Sequence, residues 1–217
     1  MITNMEEVFM KKVFQFGYIL MGLLIIGVGA SLLSVGGLGV DPFTAFNMSL
    51  ADRLHLTLGV TQLCMNLVLF VYVFLNDKTS IGWGTIMNMT LVGVFIQYIS
   101  DFLQQYNLGS VGFWGKLLIL VIGIVFFTLG AAIYMSGDMG AAPYDSIAPI
   151  LTKQLHGEYN IIRSWQDITF VVLAFVLAGM HHVGLGTIVA AFGSGSLIAV
   201  WTKLLPKFPA QSFFKNK

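Results

Sequence analysis

The chain has 217 residues, of which 57% are hydrophobic and 10% are charged, and its formal net charge at pH 7 is +1. A single soluble core of this length could not bury so much apolar surface, so the composition indicates an integral membrane protein. No basic stripe is available to meet a phosphate backbone, so we expect no nucleic-acid partner. Cys64 is the only cysteine, which excludes an intrachain disulfide and a thiolate metal cluster.

Charge-free intervals predict six membrane-spanning helices. A helix that crosses the hydrocarbon needs about 20 mostly apolar residues, and four intervals have room for one helix each: 12–41, 53–77, 78–101 and 116–138. His181 and His182 divide the next apolar stretch, which predicts a fifth helix near residues 162–180 and a sixth near 184–205. No small-residue cleavage site follows the first span, so we expect it to be retained. We therefore expect one membrane domain over residues 1–217, with short tails.

A short helix that begins at a proline is predicted after the first span and again after the fourth. The stretches "GGLGVDPFTAF" (36–46) and "GDMGAAPYDSI" (137–147) interrupt the apolar runs with glycines, an acid and a proline. Asp41 is a good N-cap and proline is favoured at the first helical position, so one helix should cover residues 42–55 and its counterpart 143–156. Fourteen residues reach only about 21 Å, which is too short to cross a membrane.

The two halves of the sequence repeat each other. A shift of 101 residues places Gly39 on Gly140 and Pro42 on Pro143, and a shift of 102 places "GWGTI" (82–86) on "GLGTI" (184–188). The repeats cover about residues 13–104 and 115–205. Because each holds three spans, the second must insert upside down relative to the first. The expected fold class is an all-α membrane protein of six transmembrane helices in two inverted three-helix repeats, each with a short proline-led half helix.

Two interpretations of the half helices stay open. Each could lie in the membrane interface as an amphipathic elbow. Alternatively, each re-enters the membrane with its N-terminus deep and its charged end at the surface, and the breaks before the helices then line a cavity. In that case the free N–H groups at the helix starts would favour an anion or a polar ligand.

The distribution of Lys and Arg predicts the orientation. With the N-terminus inside, two basic residues lie in outer segments, Arg53 and Lys116. Nine lie in inner segments: Lys11, Lys12, Lys78, Lys153, Arg163, Lys203, Lys207, Lys215 and Lys217. Because inner loops carry the excess of basic residues, we expect both termini in the cytoplasm.

The whole chain resembles the YczE/YyaS/YitT family of bacterial integral membrane proteins. The resemblance rests on "GLGVDPFTAF" after the first helix, "GAAPYDSI" after the fourth, and the "GWGTI" and "GLGTI" turns. It implies a multi-pass protein of the bacterial cytoplasmic (inner) membrane. It supplies no substrate and no catalytic residue, so the function has to be argued from the residues.

We expect the ligand site between the two halves, near the chain breaks. The substrate-binding candidates are polar or aromatic residues at the breaks or in neighbouring helices: Asp41, Phe43, Gln62, Asn88, Tyr144, Asp145 and Gln166. Asp145 and Asp167 are candidates for a coupling ion, because acids inside membrane proteins are costly and therefore informative. The hinge candidates lie in the breaks themselves: Gly39, Pro42, Gly140 and Pro143.

Each of these groups also has a purely structural explanation. Capping and first-turn dipole compensation account for Asp41 and Asp145. Arg163 lies four residues before Asp167, the spacing of an interfacial ion pair on one helix. Amides such as Gln62 often just join helices in membranes.

Catalytic and metal-binding signatures are missing from the sequence. No metalloprotease, nucleophile-elbow, P-loop or dinucleotide motif appears, so we expect neither an enzyme nor a bound cofactor. The adjacent His181 and His182 lack the acid, cysteine or spaced third histidine that a metal site needs, so we expect no metal there.

The most consistent function is a permease that moves a small polar solute or ion by alternating access, with one half rocking against the other. No nucleotide-binding residues are present, so energy would come from an ion gradient or a partner ATPase. One alternative is the substrate-capturing membrane subunit of a vitamin-type importer. Another is a membrane scaffold or accessory protein without transport. The expected partners are the lipid bilayer and the solute, and a homodimer is left open.

Overall fold

The computed structural model describes residues 2–206, with side chains from residue 10 onward. Over this range the chain forms eight α-helices: α1 (Ile2–Gly36), α2 (Pro42–Leu54), α3 (Leu58–Asn76), α4 (Trp83–Gln104), α5 (Phe113–Ser136), α6 (Pro143–Leu155), α7 (Tyr159–Ala178) and α8 (Leu185–Leu204). Short 3-10 turns, Lys78–Ser80 and Leu108–Ser110, precede α4 and α5. The predicted all-helical class is confirmed.

Six of these helices are long and apolar enough to cross a membrane, and the first of them qualifies over Met10–Gly36. The two that do not qualify are α2 and α6, the predicted half helices, each 13 residues long. Helix α7 begins at Tyr159, three residues before the predicted start. Arg163, which lies inside both the predicted and the observed helix, is paired with acids of the protein interior.

Helices α1 and α5 make the most extensive helix–helix contact among the described residues, and glycines let their backbones touch. A Cβ atom at Gly29 would lie 2.2 Å from the backbone nitrogen of Phe127, and one at Gly130 would lie 2.5 Å from that of Ile26. Neither position has room for a larger residue. Small residues that allow close approach are the usual means of packing helices in membranes.

The remaining helices pack in matching sets. Helix α4 packs on α1, and α8 packs on α5. The half helix α2 packs mainly on α7, while the half helix α6 packs on α3. Each half helix therefore lies against a spanning helix from the other half of the sequence.

The two chain breaks are closed by turns from the opposite half. Gly39 and Gly140 have φ angles of +100° and +96°, which glycine adopts without strain. The amide N–H of Gly186 donates to the carbonyl of Leu38 at 2.7 Å, and the N–H of Gly84 donates to the carbonyl of Met139 at 2.7 Å. The "GWGTI" and "GLGTI" turns thus make the same hydrogen bond to opposite breaks.

Both half helices are enclosed by protein except at their C-terminal ends. Between residues 42 and 51 of α2 and between 143 and 152 of α6, no side chain is exposed. The exposed ends are tied to turns of the other half. Lys153 lies 3.4 Å from Asp77, and His182 Nε2 lies 2.6 Å from Asp52 Oδ2.

The charge count that predicted the orientation needs one correction. Arg163 is only 8% exposed and lies within α7, so it is not a loop charge. Removing it leaves eight inner basic residues against two outer ones, and the bias keeps its direction. Three of the eight, Lys207, Lys215 and Lys217, lie outside the described residues.

Candidate functional site

The first turns of the two half helices meet at the centre of the molecule. Asp41 caps α2 by accepting a hydrogen bond from the backbone N–H of Thr44 at 3.0 Å. The rings of Phe43 and Tyr144 stack with centroids 4.3 Å apart. Phe170 of α7 packs edge-on against both rings, with centroid distances of 5.5 and 5.1 Å. Residues that follow the two prolines therefore form one aromatic contact between the halves.

A buried ionic cluster lies beside this aromatic contact. The guanidinium of Arg163 donates to Asp145 at 3.1 Å, and its Nε lies 3.3 Å from Asp167 Oδ1. The hydroxyl of Tyr144 donates to Asp167, and the hydroxyl of Tyr134 donates to Asp145. Arg163 also lies 4.8 Å above the ring of Tyr144, at cation–π distance. The cluster joins the start of α6 to α5 and α7.

A cavity of about 50 Å³ lies among these groups. A water molecule needs roughly 10–15 Å³ by this kind of measure, so there is room for a few waters or a small ligand. Its polar lining comes from α2, α3, α4, α5, α6 and α7: Asp41, Thr44, Gln62, Asn66, Asn88, Tyr134, Tyr144, Asp145 and Arg163. Residues of both sequence halves therefore face the same space.

Several polar atoms of these lining residues find no hydrogen-bond partner within the described part of the chain. They are Oδ2 of Asp41, Oε1 of Gln62, both amide atoms of Asn66, and Nε of Arg163, which is ion-paired with Asp167. Asp41, Gln62 and Asn66 are at most 5% exposed. Leaving a buried polar group unsatisfied costs about 1–3 kcal/mol, so native proteins rarely do so without a reason. The cavity is therefore suited to a polar ligand, an ion or ordered water.

Comparison with known proteins places the chain in a family. The model described as "Family of unknown function (DUF6198)" matches residues 13–203. The chain belongs to this family. Among its relatives, the uncharacterized membrane protein YczE of Bacillus subtilis (strain 168) is 27% identical over 194 residues, which cover 89% of this chain and 86% of YczE. The predicted resemblance to a bacterial membrane-protein family is confirmed.

Two further relatives match over a similar length. The uncharacterized protein YyaS, also from Bacillus subtilis, is 26% identical over 195 residues, or 89% of this chain and 94% of YyaS. An uncharacterized protein of Haemophilus influenzae (strain ATCC 51907 / DSM 11121 / KW20 / Rd) is 26% identical over 191 residues, or 88% and 84% of the two chains. No solved structure matches the chain. Together with its six apolar helices, these relatives identify a multi-pass membrane protein.

Six of the seven substrate-binding candidates line the cavity: Asp41, Phe43, Gln62, Asn88, Tyr144 and Asp145. The seventh, Gln166, lies behind it and donates from its side-chain amide to the carbonyl of Tyr144 at 2.8 Å. Asp167 also lies outside the lining, where it binds Tyr144 and Arg163. The ion pair between Arg163 and Asp167 is present as the spacing predicted, but it is buried within the protein.

The substrate-binding candidates left out four polar residues that line the cavity: Thr44, Asn66, Tyr134 and Arg163. Tyr134, which hydrogen-bonds Asp145, lies in the last turn of α5 in an apolar stretch, and no spacing rule singles it out. The contact between Arg163 and Asp145 joins residues 18 positions apart on different helices. Only the buried, charged character of Arg163 within a predicted span could have suggested that it has more than one acidic partner.

A second polar cluster lies at the exposed end of α2. His182 Nε2 lies 2.6 Å from Asp52 Oδ2 and 3.1 Å from His181 Nδ1. The distance from His181 Nδ1 to the same Asp52 oxygen is 3.8 Å. The adjacent histidines thus have an acidic neighbour that is 130 residues away in the sequence.

Proposed function

We propose that this protein is a permease that moves a small polar solute or ion across the membrane by alternating access. The central cavity is the binding site. The observation that carries the proposal is the group of buried, unpartnered polar atoms on Asp41, Gln62 and Asn66, where the two half helices meet. A protein with a purely mechanical role has no use for unsatisfied polar atoms around a cavity.

An inverted repeat gives this site its two-sided access. Under the proposal, α1–α4 and α5–α8 are related by a pseudo-two-fold axis in the membrane plane. The matched packing supports it, because α2 lies on α7 as α6 lies on α3. The exchanged hydrogen bonds, Gly186 to Leu38 and Gly84 to Met139, support it independently.

The half helices are re-entrant in this account. An amphipathic helix in the interface keeps one polar face in water along its length. In α2 and α6 no residue is exposed before the last turn, and the first turns contact each other through Phe43 and Tyr144. Helix starts that meet inside the protein, with charged ends at the surface, fit entry from opposite faces.

Alternating access would proceed by rocking one half against the other. The contacts that would open and close are the ties at the half-helix ends, between Lys153 and Asp77 on one face and between Asp52 and His182 on the other. Gly39 and Gly140 would act as hinges, since their backbone conformation depends on the absence of a side chain. We place the protein in the bacterial cytoplasmic membrane with both termini inside.

The test is ligand binding and flux with a matched pair of variants. The purified protein is screened by thermal shift against small amines, amino acids, sugars, nucleobases and inorganic ions. Solutes that stabilise it are then tested for uptake into proteoliposomes. Asp145→Asn, which removes a charge from the cavity, should abolish both responses, while Asp101→Asn, an exposed acid on α4, should leave them intact. A screen in which no solute stabilises the protein would favour a scaffold and contradict the proposal.

A further inference from the structure

Apart from Nε of Arg163, which is ion-paired with Asp167, the unpartnered atoms of the cavity are mostly acceptors. Oδ2 of Asp41, Oε1 of Gln62 and Oδ1 of Asn66 accept hydrogen bonds or bind cations, and Nδ2 of Asn66 is the one donor among these four. An anionic ligand would meet mainly oxygen atoms here. A ligand that carries positive charge, or a bare cation, would satisfy them.

The charge of the site also favours a positively charged ligand. Three carboxyl groups, those of Asp41, Asp145 and Asp167, share the electrostatic environment of a single guanidinium, Arg163. With all four groups ionised, the net charge would be three negative and one positive, or −2. A buried carboxylate without a counter-charge is strongly unfavourable. The excess acids must therefore hold protons or be balanced by a bound cation.

We propose that the cavity binds a monovalent cation in exchange for a proton, a proposal that rests on the permease function above. Asp41 is the exchanging group, because its Oδ2 is unpartnered and it lines the cavity. Asp145 is bonded to Arg163, and Asp167, whose Oδ2 is also unpartnered, is paired with Arg163 and lies outside the lining. When the cation enters, the carboxyl group of Asp41 loses its proton to solvent, and the charge of the site is conserved. The cavity of about 50 Å³ restricts the ligand to an alkali cation or a small protonated amine.

The groups that face Asp41 set its behaviour. Thr44 of its own helix donates to Oδ1, while Arg163 and Asp167 of α7 act on it through space with opposite signs. Across the cavity lie Gln62 and Asn66 of α3, Asn88 of α4, Tyr134 of α5, and Tyr144 and Asp145 of α6. The other carboxyl groups near Asp41, those of Asp145 and Asp167, are both paired with Arg163, so we expect the proton that Asp41 releases to pass to solvent.

The test measures proton release on cation binding. Sodium chloride and methylammonium chloride are added separately to purified protein in a weakly buffered solution with a pH-sensitive dye. We expect one of the two salts to release protons saturably, which also distinguishes a metal cation from an amine. Asp41→Asn, which keeps a helix-capping side chain, should abolish the release, and Asp101→Asn should not. Gln62→Met, which removes an acceptor without touching a charge, should weaken the apparent cation affinity.

Three outcomes would overturn this inference. Saturable stabilisation by a neutral or anionic solute, with no proton release by either salt, would leave the permease proposal intact and refute cation exchange. Proton release that persists in Asp41→Asn would show that another group exchanges. A protein that no solute or salt stabilises would fail both proposals together.

A second, independent inference concerns the cluster at the exposed end of α2. The oxygen of Asp52 and one nitrogen each of His181 and His182 lie within 4.8 Å of one another. Ligand atoms on a tetrahedral zinc ion with bonds near 2.0–2.1 Å lie about 3.3 Å apart, and the three distances here are 2.6, 3.1 and 3.8 Å. The exposed side of the cluster leaves space for water as a fourth ligand.

We infer that this cluster binds a divalent transition-metal ion such as Zn²⁺. The ion would join the end of α2 to the turn between α7 and α8, and so fasten the two halves together on one face only. The equivalent contact on the other face is between Lys153 and Asp77, where the ammonium group cannot bind a metal. Zinc binding would therefore strengthen the contact between the two halves on one face of the protein and not on the other.

Zinc titration of untagged protein tests this inference. Calorimetry should show one saturable equivalent of Zn²⁺, and a thermal shift should accompany it. His181→Ala with His182→Ala should abolish both signals, whereas His55→Ala with His156→Ala, which changes the other two histidines of the chain, should leave them unchanged. Binding that persists without His181 and His182, or that never saturates, would refute the site.

Discussion

Arg163 is a buried basic residue that is paired with two acids. Its guanidinium is the counter-charge for Asp145 and Asp167, and its side chain is only 10% exposed. The net stabilisation from a buried ion pair is often small, because desolvation offsets the attraction between the charges. Removing one partner is different, since it leaves the other charges buried and uncompensated.

We therefore predict that Arg163→Met destabilises the protein by about 3–5 kcal/mol. The measurement is the midpoint of chemical or thermal unfolding in detergent. Adding Asp167→Asn to the same protein should recover part of the loss, because it removes one of the uncompensated carboxylates. An Arg163→Met protein as stable as the wild type would show that the cluster is not ionised as described.

Asp77, just after α3, predicts a pH dependence. Its partial burial raises the pKa of the carboxyl group, but hydrogen bonds from Thr79 and Ser80 and the nearby ammonium of Lys153 lower it more, so the net pKa lies below its ordinary value. Because the folded pKa is depressed, the stabilisation is present above the unfolded pKa and is lost as the pH falls through the folded pKa. Asp77→Asn should remove this acid-sensitive contribution to the free energy of unfolding.

The measurement compares the melting temperatures of wild type and Asp77→Asn between pH 6 and pH 3. The difference between them should be largest at pH 6 and should shrink as the solution becomes acid. A difference that stays constant over this range would contradict the assignment. Lys153→Met should behave like a weaker form of Asp77→Asn, since it removes only one of the three groups that lower the pKa.

At the scale of elements, the sequence predicted the half helices closely. Both begin at the predicted proline and end one residue before the predicted limit, where His55 and His156 adopt the left-handed conformation that closes a helix. Local rules sufficed here because capping, proline placement and helix length are all encoded within a few residues. The same rules predicted that neither helix could cross a membrane.

Contacts between elements that are distant in the sequence could not be predicted from it. The tie between Asp52 and His182 spans 130 residues, and the one between Lys153 and Asp77 spans 76. The expectation that His181 and His182 have no acidic neighbour was wrong for this reason, since Asp52 lies beside them. Periodicity assigns a residue to the face of a helix, but it does not say which helix that face will meet.

Gly39 and Gly140, in the two chain breaks, predict that a side chain at either position destabilises the contact between the break and the turn that closes it. A Cβ atom at Gly39 would lie 2.5 Å from Thr187 Oγ1, and one at Gly140 would lie 2.4 Å from the backbone nitrogen of Gly82. Both positions also have φ angles that disfavour a side chain. Gly39→Ala and Gly140→Ala should each lower the free energy of unfolding by more than about 1 kcal/mol.

Gly193→Ala is the matched control. Gly193 lies within α8, and a Cβ atom there would meet nothing within 4 Å. Alanine is favoured over glycine inside a helix by roughly 0.5–1 kcal/mol, so this change should be neutral or stabilising. Thermal unfolding of the three variants decides the matter, and equal stability of all three would mean that the breaks are not closed as described.

At the scale of the whole molecule, the central proposal is that two halves insert in opposite directions and meet at their half helices. Everything proposed about the site depends on it. In the proposed mechanism, the cavity can open to both faces of the membrane only if α2 and α6 enter it from different sides. The paired contacts, with α2 on α7 and α6 on α3, show how the helices pack. They do not show from which side of the membrane each half helix enters.

Sided labelling of the half-helix ends tests this feature most directly. Leu54 and Leu155 occupy equivalent last positions of α2 and α6 and are 54% and 67% exposed. Each is changed singly to cysteine in a Cys64→Ala background and treated with a membrane-impermeant maleimide in intact cells. We predict that Leu54→Cys is labelled from outside, and that Leu155→Cys is labelled only after permeabilisation. Labelling of both cysteines from the same side would contradict the account.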